Sequence, residues 1–115
     1  MLYVANSFSL GMLEEKETKL EAKPISLEEA KNILLTQEFH SVIGHEATAS
    51  VLSKILGIYV PFNREAIKLK SEDQLIVFQL KFRLPEGAIL TEKDLLSIKE
   101  NQLFSLWLVE TKEVI

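Results

Sequence analysis

Two histidines occur in this chain, His40 and His45, and only His45 stands at a place suited to proton transfer. A short apolar run ends in Gly44, His45 follows at once, and an amphipathic segment begins behind it. A helix start presents backbone N–H groups that have no partner within the helix. These attract phosphate and other anions. A histidine beside a bound phosphate can give a proton to a leaving oxygen. The plainer alternative is that His45 is a polar residue opening a helix, with no further task. His40 lies next to Phe39 in a short strand and reads as structural.

A second set of polar groups lies further along. Residues 74–83 read as the longest strand, with Ile76, Phe78, Leu80 and Phe82 on one face. Period-2 geometry puts Gln79, Lys81 and Arg83 in a polar row at the C-terminal end of the other face. Ligands of open α/β sheets bind beyond such ends. If the strands leading to residues 6–9 and to His45 end in the same crevice, Ser9, His45 and Arg83 meet there. The competing reading is the solvated face of an ordinary strand.

The cations are unevenly divided. There are eleven lysines but only two arginines, Arg64 and Arg83. Lysine is the ordinary solubilising cation, whereas the arginine fork fits phosphate. Placement at a site explains the two arginines, and so does a compositional bias. Other chemistries find little support. The two histidines are five apart, aspartate occurs twice, and there is no His-Glu-x-x-His spacing for a metal. The chain has no cysteine, hence no disulfide framework or thiolate nucleophile. Neither a Gly-rich phosphate loop nor a Gly-x-Ser-x-Gly elbow is present.

The elements that must hold these groups follow from the pattern. Residues 1–5 read as a buried strand and residues 18–25 as an exposed edge strand, with Pro24 near its end. Ser26-Leu27-Glu28-Glu29 is a capping box that opens a helix to about residue 37. Residues 39–43 form a short strand. A central helix covers about residues 45–56, with Ala47, Val51, Leu52 and Ile55 inward, and Gly57 stops it. Residues 66–70 alternate as a strand and form a hairpin with 74–83. Thr91 caps a third helix, to about residue 100, and residues 103–109 are a last strand. The expectation is one α/β domain of 115 residues, with a mixed sheet of five or six strands and about three helices packed on it.

Composition bounds the partners. At 47% hydrophobic residues the chain can bury a core. A net charge of −4 argues against a broad surface for long nucleic acid, though not against a small anion in a local basic pocket. No leader-like segment or membrane-length apolar run is evident, so the expected setting is the cytoplasm.

Four short motifs occur together and in order: Asn6-x-Phe8-Ser9, Ile43-Gly44-His45-x-x-Thr48, Asn63-Arg64, and Arg83-Leu84-x-Glu86-Gly87. In this the chain resembles the viral anti-CRISPR ring nucleases of archaeal viruses, phages and prokaryotic genomes. The resemblance spans essentially the whole chain. It implies a homodimer that binds cyclic tetra-adenylate, the second messenger of type III CRISPR systems, at the subunit interface and cuts it without a metal or other cofactor. The ribose 2′-OH attacks the adjacent phosphate, leaving linear products with a 2′,3′-cyclic phosphate.

Carried onto this sequence, the resemblance makes His45 the general acid and Glu86 the group that orients it as a loop closes. Arg83 holds the scissile phosphate, and Arg64 positions the ring. Ser9 and the backbone near Asn6 hold ribose or phosphate, and Thr48, one turn beyond His45, lines the pocket. Lys81 joins the ligand-binding set through the polar row. No general base for the 2′-OH can be assigned. Two other readings stand beside it: a protein that sequesters a cyclic oligonucleotide uncut, and a dimeric nucleic-acid-binding regulator.

Overall fold

The computed structural model describes residues 1–113. Five strands form one sheet: β1 (Leu2–Ala5), β2 (Lys19–Pro24), β3 (His40–Ser41), β4 (Gln74–Leu80) and β5 (Phe104–Lys112). Their spatial order is β2-β5-β4-β1-β3. Strand β1 runs parallel to both β3 and β4, while β5 runs antiparallel to β4 and β2. Three α-helices accompany the sheet: α1 (Leu27–Thr36), α2 (Glu46–Leu56) and α3 (Glu92–Glu100). The expected class, a single α/β domain with a mixed sheet and three helices, is the one found.

The helices lie on one face because one set of alternating side chains supplies an apolar floor. Leu2 and Val4 of β1, Ile76 and Phe78 of β4, and Leu106 and Leu108 of β5 form a single core with Ala30 and Leu34 of α1, Leu52 of α2 and Ile98 of α3. Phe78 is fully buried and packs against Phe104 with ring centroids 5.5 Å apart. The opposite face carries Ala5, Leu75, Val77 and Val109, covered by Val42, Ile67, Leu69, Phe8 and Met12, the last in the short 3-10 turn Leu10–Met12, rather than by an α-helix.

Local signals set the helix ends. Ser26 and Glu29 exchange hydrogen bonds of 3.0 and 3.1 Å in the expected capping box. Thr91 and Asp94 make a second box at α3. Gly57 ends α2 at φ 71°, a left-handed conformation that suits a residue without a Cβ.

Three expectations need correction. Residues 66–70 are not a sheet strand and form no hairpin with β4. Their strand-type pairing is an isolated parallel bridge between Leu69 and Leu13, and Lys70 already belongs to the turn that its carbonyl closes with the Asp73 N–H. The alternation of Ile67 and Leu69 is real, but it serves to cover the second sheet face. The antiparallel part of the sheet comes instead from β5 with its two neighbours. Second, β4 ends at Leu80, not at residue 83. The Lys81 N–H still bonds the Leu103 carbonyl, after which Leu84 turns into the core and Pro85 offers no N–H. Third, β5 runs on to Lys112, because Glu110, Thr111 and Lys112 still pair with β2.

Candidate functional site

The C-terminal ends of β4, β1 and β3 are neighbours, since the three strands are adjacent and parallel. The chain leaves β1 into Asn6, leaves β3 into Gly44 and His45, and leaves β4 into Lys81. A cleft of about 360 Å³ opens there, lined by Asn6, His45, Thr48, Phe78, Gln79, Leu80, Phe82 and Leu84. That is within the usual range for a small-ligand site.

His45 is the N-cap of α2, with φ −133° and ψ 114°. Its Nδ1 accepts from the Thr48 backbone N–H at 3.1 Å and lies 2.9 Å from the Thr48 hydroxyl. A ring nitrogen that accepts an amide hydrogen carries none itself, so the single proton of the neutral ring sits on Nε2. Among the described residues, Nε2 has no hydrogen-bond partner. Histidine is not a favoured N-cap, but here the imidazole does what an Asn or Ser side chain does elsewhere. It also takes up one of the free N–H groups that make a helix start attractive to anions.

Gly44, just before His45, is fixed from two sides. Its N–H donates to Asn6 Oδ1 at 3.3 Å, tying the exits of β1 and β3 together. Its carbonyl accepts Arg64 Nε at 3.2 Å and an Arg64 terminal nitrogen at 2.9 Å. The same terminal nitrogen donates to Glu86 at 3.4 Å. Arg64 and Glu86 side chains are 72% and 70% exposed, so this ion pair lies in water, and Glu86 can leave it at little cost while Arg64 keeps its two bonds to Gly44.

The sequence-predicted residues therefore divide. Asn6, His45 and Thr48 line one cleft, and Arg64, bonded to the Gly44 carbonyl, meets Glu86 outside that lining. Glu86 contacts Arg64 in this conformation. Ser9, Lys81 and Arg83 are exposed and do not line the cleft. The expected polar row facing His45 is replaced by its neighbour: Phe78, Leu80, Phe82 and Leu84 form most of that wall, because α2 packs on their side of β4. Gln79 is the one member of the row that reaches the cleft. Phe82, 39% exposed, was missed as a lining residue. Its place at the end of an alternating apolar set was the available signal.

A larger groove of 520 Å³ lies between α2 and α3, walled by Ile55, Leu90, Leu95 and Leu96 with Lys54, Glu92 and Lys99. It holds no histidine and none of the predicted site residues. Among the described residues, no group of three or more His, Cys, Asp or Glu side chains is arranged to hold a metal ion, and no helix is long and apolar enough to cross a membrane.

The family profile described as STIV B116-like matches residues 2–102. The chain belongs to the STIV B116-like family. It is 39% identical over 110 residues to uncharacterized protein 26 of Sulfolobus islandicus filamentous virus, covering 96% of this chain and 91% of that protein. It is also 39% identical over 92 residues to the uncharacterized ORF117 protein of Acidianus two-tailed virus, covering 78% of each. A bacterial relative, uncharacterized protein YddF of Bacillus subtilis, is 38% identical over 76 residues, covering 64% of this chain and 70% of that protein. The solved structure of B116 from Sulfolobus turreted icosahedral virus superimposes with a TM-score of 0.82 over 94% of this chain and 97% of that one, at 23% identity. That likeness establishes the shared fold. The STIV B116-like family thus includes proteins of archaeal viruses, and this chain keeps their α/β architecture.

Proposed function

We propose that this STIV B116-like protein is a metal-independent ring nuclease. In this reading it cuts cyclic tetra-adenylate and so counters type III CRISPR immunity. The observation that carries the reading is the His45 cleft at the ends of three parallel strands, where Asn6, Thr48 and Gln79 surround a histidine whose Nε2 is uncommitted. Kinship with proteins of archaeal viruses supports a viral setting.

The chemistry follows from the substrate and from these side chains. The 2′-oxygen forms a bond to the adjacent phosphorus, its proton passes to solvent, and the bond from phosphorus to the 5′-oxygen breaks. His45 Nε2 gives the proton that the 5′-oxygen needs, and the ring is reprotonated from water. The effective acid is imidazolium, which carries hydrogen on both nitrogens. Charging the ring therefore costs the bond from the Thr48 N–H, because Nδ1 can no longer accept. The Thr48 hydroxyl, at 2.9 Å, can reverse its role and accept the new Nδ1–H. General acid catalysis of this kind contributes ~10²–10⁴-fold. Arg64 and Arg83, which lie outside the cleft lining in this conformation, turn to the phosphates on binding, and a second copy of the chain doubles that charge for a four-phosphate ring.

A second reading, sequestration without cutting, is favoured by one observation: the imidazole already has a structural task as the cap of α2. Incubation with labelled cyclic tetra-adenylate in excess EDTA separates the two. Linear products ending in 2′,3′-cyclic phosphate support the nuclease. A ring that is bound tightly and recovered whole supports the sequestering protein.

A further inference from the structure

His40 of β3 is tied to the segment that carries Arg64. Its Nε2 lies 3.2 Å from both carboxylate oxygens of Glu65. The same carboxylate accepts from Asn63 Nδ2 at 3.2 Å, and Asn63 Nδ2 also donates to the Ser41 carbonyl at 2.8 Å. The two amide hydrogens of Asn63 are thereby both used. The Ser41 hydroxyl donates to the Pro61 carbonyl, two residues before Asn63, at 2.6 Å, and the Asn63 N–H donates to the Ile43 carbonyl at 2.9 Å.

Residues 61–65 are thus laced along β3 and its continuation. Isolated bridge pairing joins Ile43 and Phe62 in parallel. Arg64 sits between the two side chains, Asn63 and Glu65, that close the lacing. Its own side chain reaches Gly44, the residue before His45. The His40 ring is steadied by Tyr3 of β1, edge-on at 5.9 Å. The donors from Asn63 and then His40 hold the Glu65 carboxyl below the usual carboxylate range.

Such an exposed cluster adds little to stability. Its effect is on geometry. Without it, a long arginine side chain on a loop samples many rotamers, and ordering it on binding costs free energy.

We propose that His40, Glu65 and Asn63 form a clip that pre-positions Arg64 against the Gly44 carbonyl, beside the His45 cleft, so that His40 is a positioning residue for ligand binding. Its kinetic arm rests on the nuclease reading. The structural arm does not. Glu65→Ala breaks the clip. Glu65→Gln keeps an acceptor for Asn63 and a group able to pair with His40, and serves as the conservative rescue.

The first readout needs no ligand: the Arg64 Nε–H resonance in ¹⁵N NMR spectra of the whole protein. It is expected to be dispersed and slowly exchanging in the wild type, averaged in Glu65→Ala, and largely restored in Glu65→Gln. The second readout is steady-state cleavage of cyclic tetra-adenylate. Glu65→Ala is expected to raise KM several-fold with little change in kcat, and to add nothing further in an Arg64→Ala background. An Arg64 resonance unchanged by Glu65→Ala overturns the proposal. So do additive effects of the two substitutions on KM. If the wild type does not act on the ring, the nuclease reading fails, and the NMR comparison still decides whether the clip holds Arg64.

Discussion

His45 Nδ1 accepts the backbone N–H of Thr48 at 3.1 Å, so the residue proposed to give a proton is also the residue that caps α2. Fold and chemistry meet in one imidazole. A substitution there changes two things at once, and the two can be taken apart.

The choice of replacement separates them. His45→Ala removes the cap and is expected to lower stability by about 1 kcal/mol, the usual cost of losing an N-cap. His45→Asn supplies one of the best N-caps and is expected to keep or raise stability. Thermal or urea unfolding of both variants checks this. Equal losses in both would mean that the cap contributes nothing.

Thr48 is buried, and its hydroxyl faces the same nitrogen. Thr48→Val keeps the shape and removes the partner that the charged ring needs. Cleavage is expected to fall about fivefold, the equivalent of one hydrogen bond of about 1 kcal/mol, while ligand affinity changes little. Single-turnover rates at saturating ring measure the first quantity and titration the second. A rate equal to the wild type would remove Thr48 from the account.

Phe78 joins the core to the cleft. It is fully buried against Phe104 and also lines the pocket floor. Phe78→Ala is expected to cost about 3–5 kcal/mol, the usual range for an aromatic removed from a core. Chemical denaturation measures it. A loss below about 1 kcal/mol would show that the helices do not depend on this floor.

Acid should act on α3 in a defined direction. Hydrogen bonds from the backbone and then the side chain of Thr91 hold the Asp94 carboxyl below its ordinary value. A carboxyl whose folded value is depressed stabilises the fold above its unfolded value and loses that contribution as pH falls through the folded one. The contribution of Asp94 is therefore complete near neutrality. It fades only once pH drops below the ordinary aspartate range. Asp94→Asn should remove that component of the acid dependence. Unfolding curves of the two proteins from neutral to acid pH check it, and an unchanged difference at all pH values would contradict it.

Much of the fold was legible because its signals are local. Ser26 with Glu29, Thr91 with Asp94, and Gly57 each announce a helix end by chemistry that acts within four residues. The exposed alternation at β2 and the apolar runs at β1 and β4 are equally local. The hairpin was misread because Ile67 and Leu69 alternate as a strand does, yet their partner is a packed face and not a neighbouring strand. Nothing within residues 66–70 encodes that difference.

The site was legible in part for the same reason. His45 follows from where a strand ends and a helix starts, whereas Asn6 and Thr48 come from the family resemblance. The pairing of Arg64 with Gly44, and of His40 with Glu65, joins residues 20 and 25 positions apart through loops that carry no periodicity. The face of β4 that meets His45 depends on which side α2 packs, and period-2 alternation alone leaves both sides open.

Wild type and His45→Asn, each in excess over labelled cyclic tetra-adenylate in EDTA, are to be compared side by side, with products resolved by chromatography and mass spectrometry. The wild type is expected to convert the ring to linear products bearing a 2′,3′-cyclic phosphate. The folded His45→Asn protein should bind the ring and leave it closed. A wild type that leaves the ring intact, or a His45→Asn protein that cuts as fast, would contradict the role of His45 as general acid.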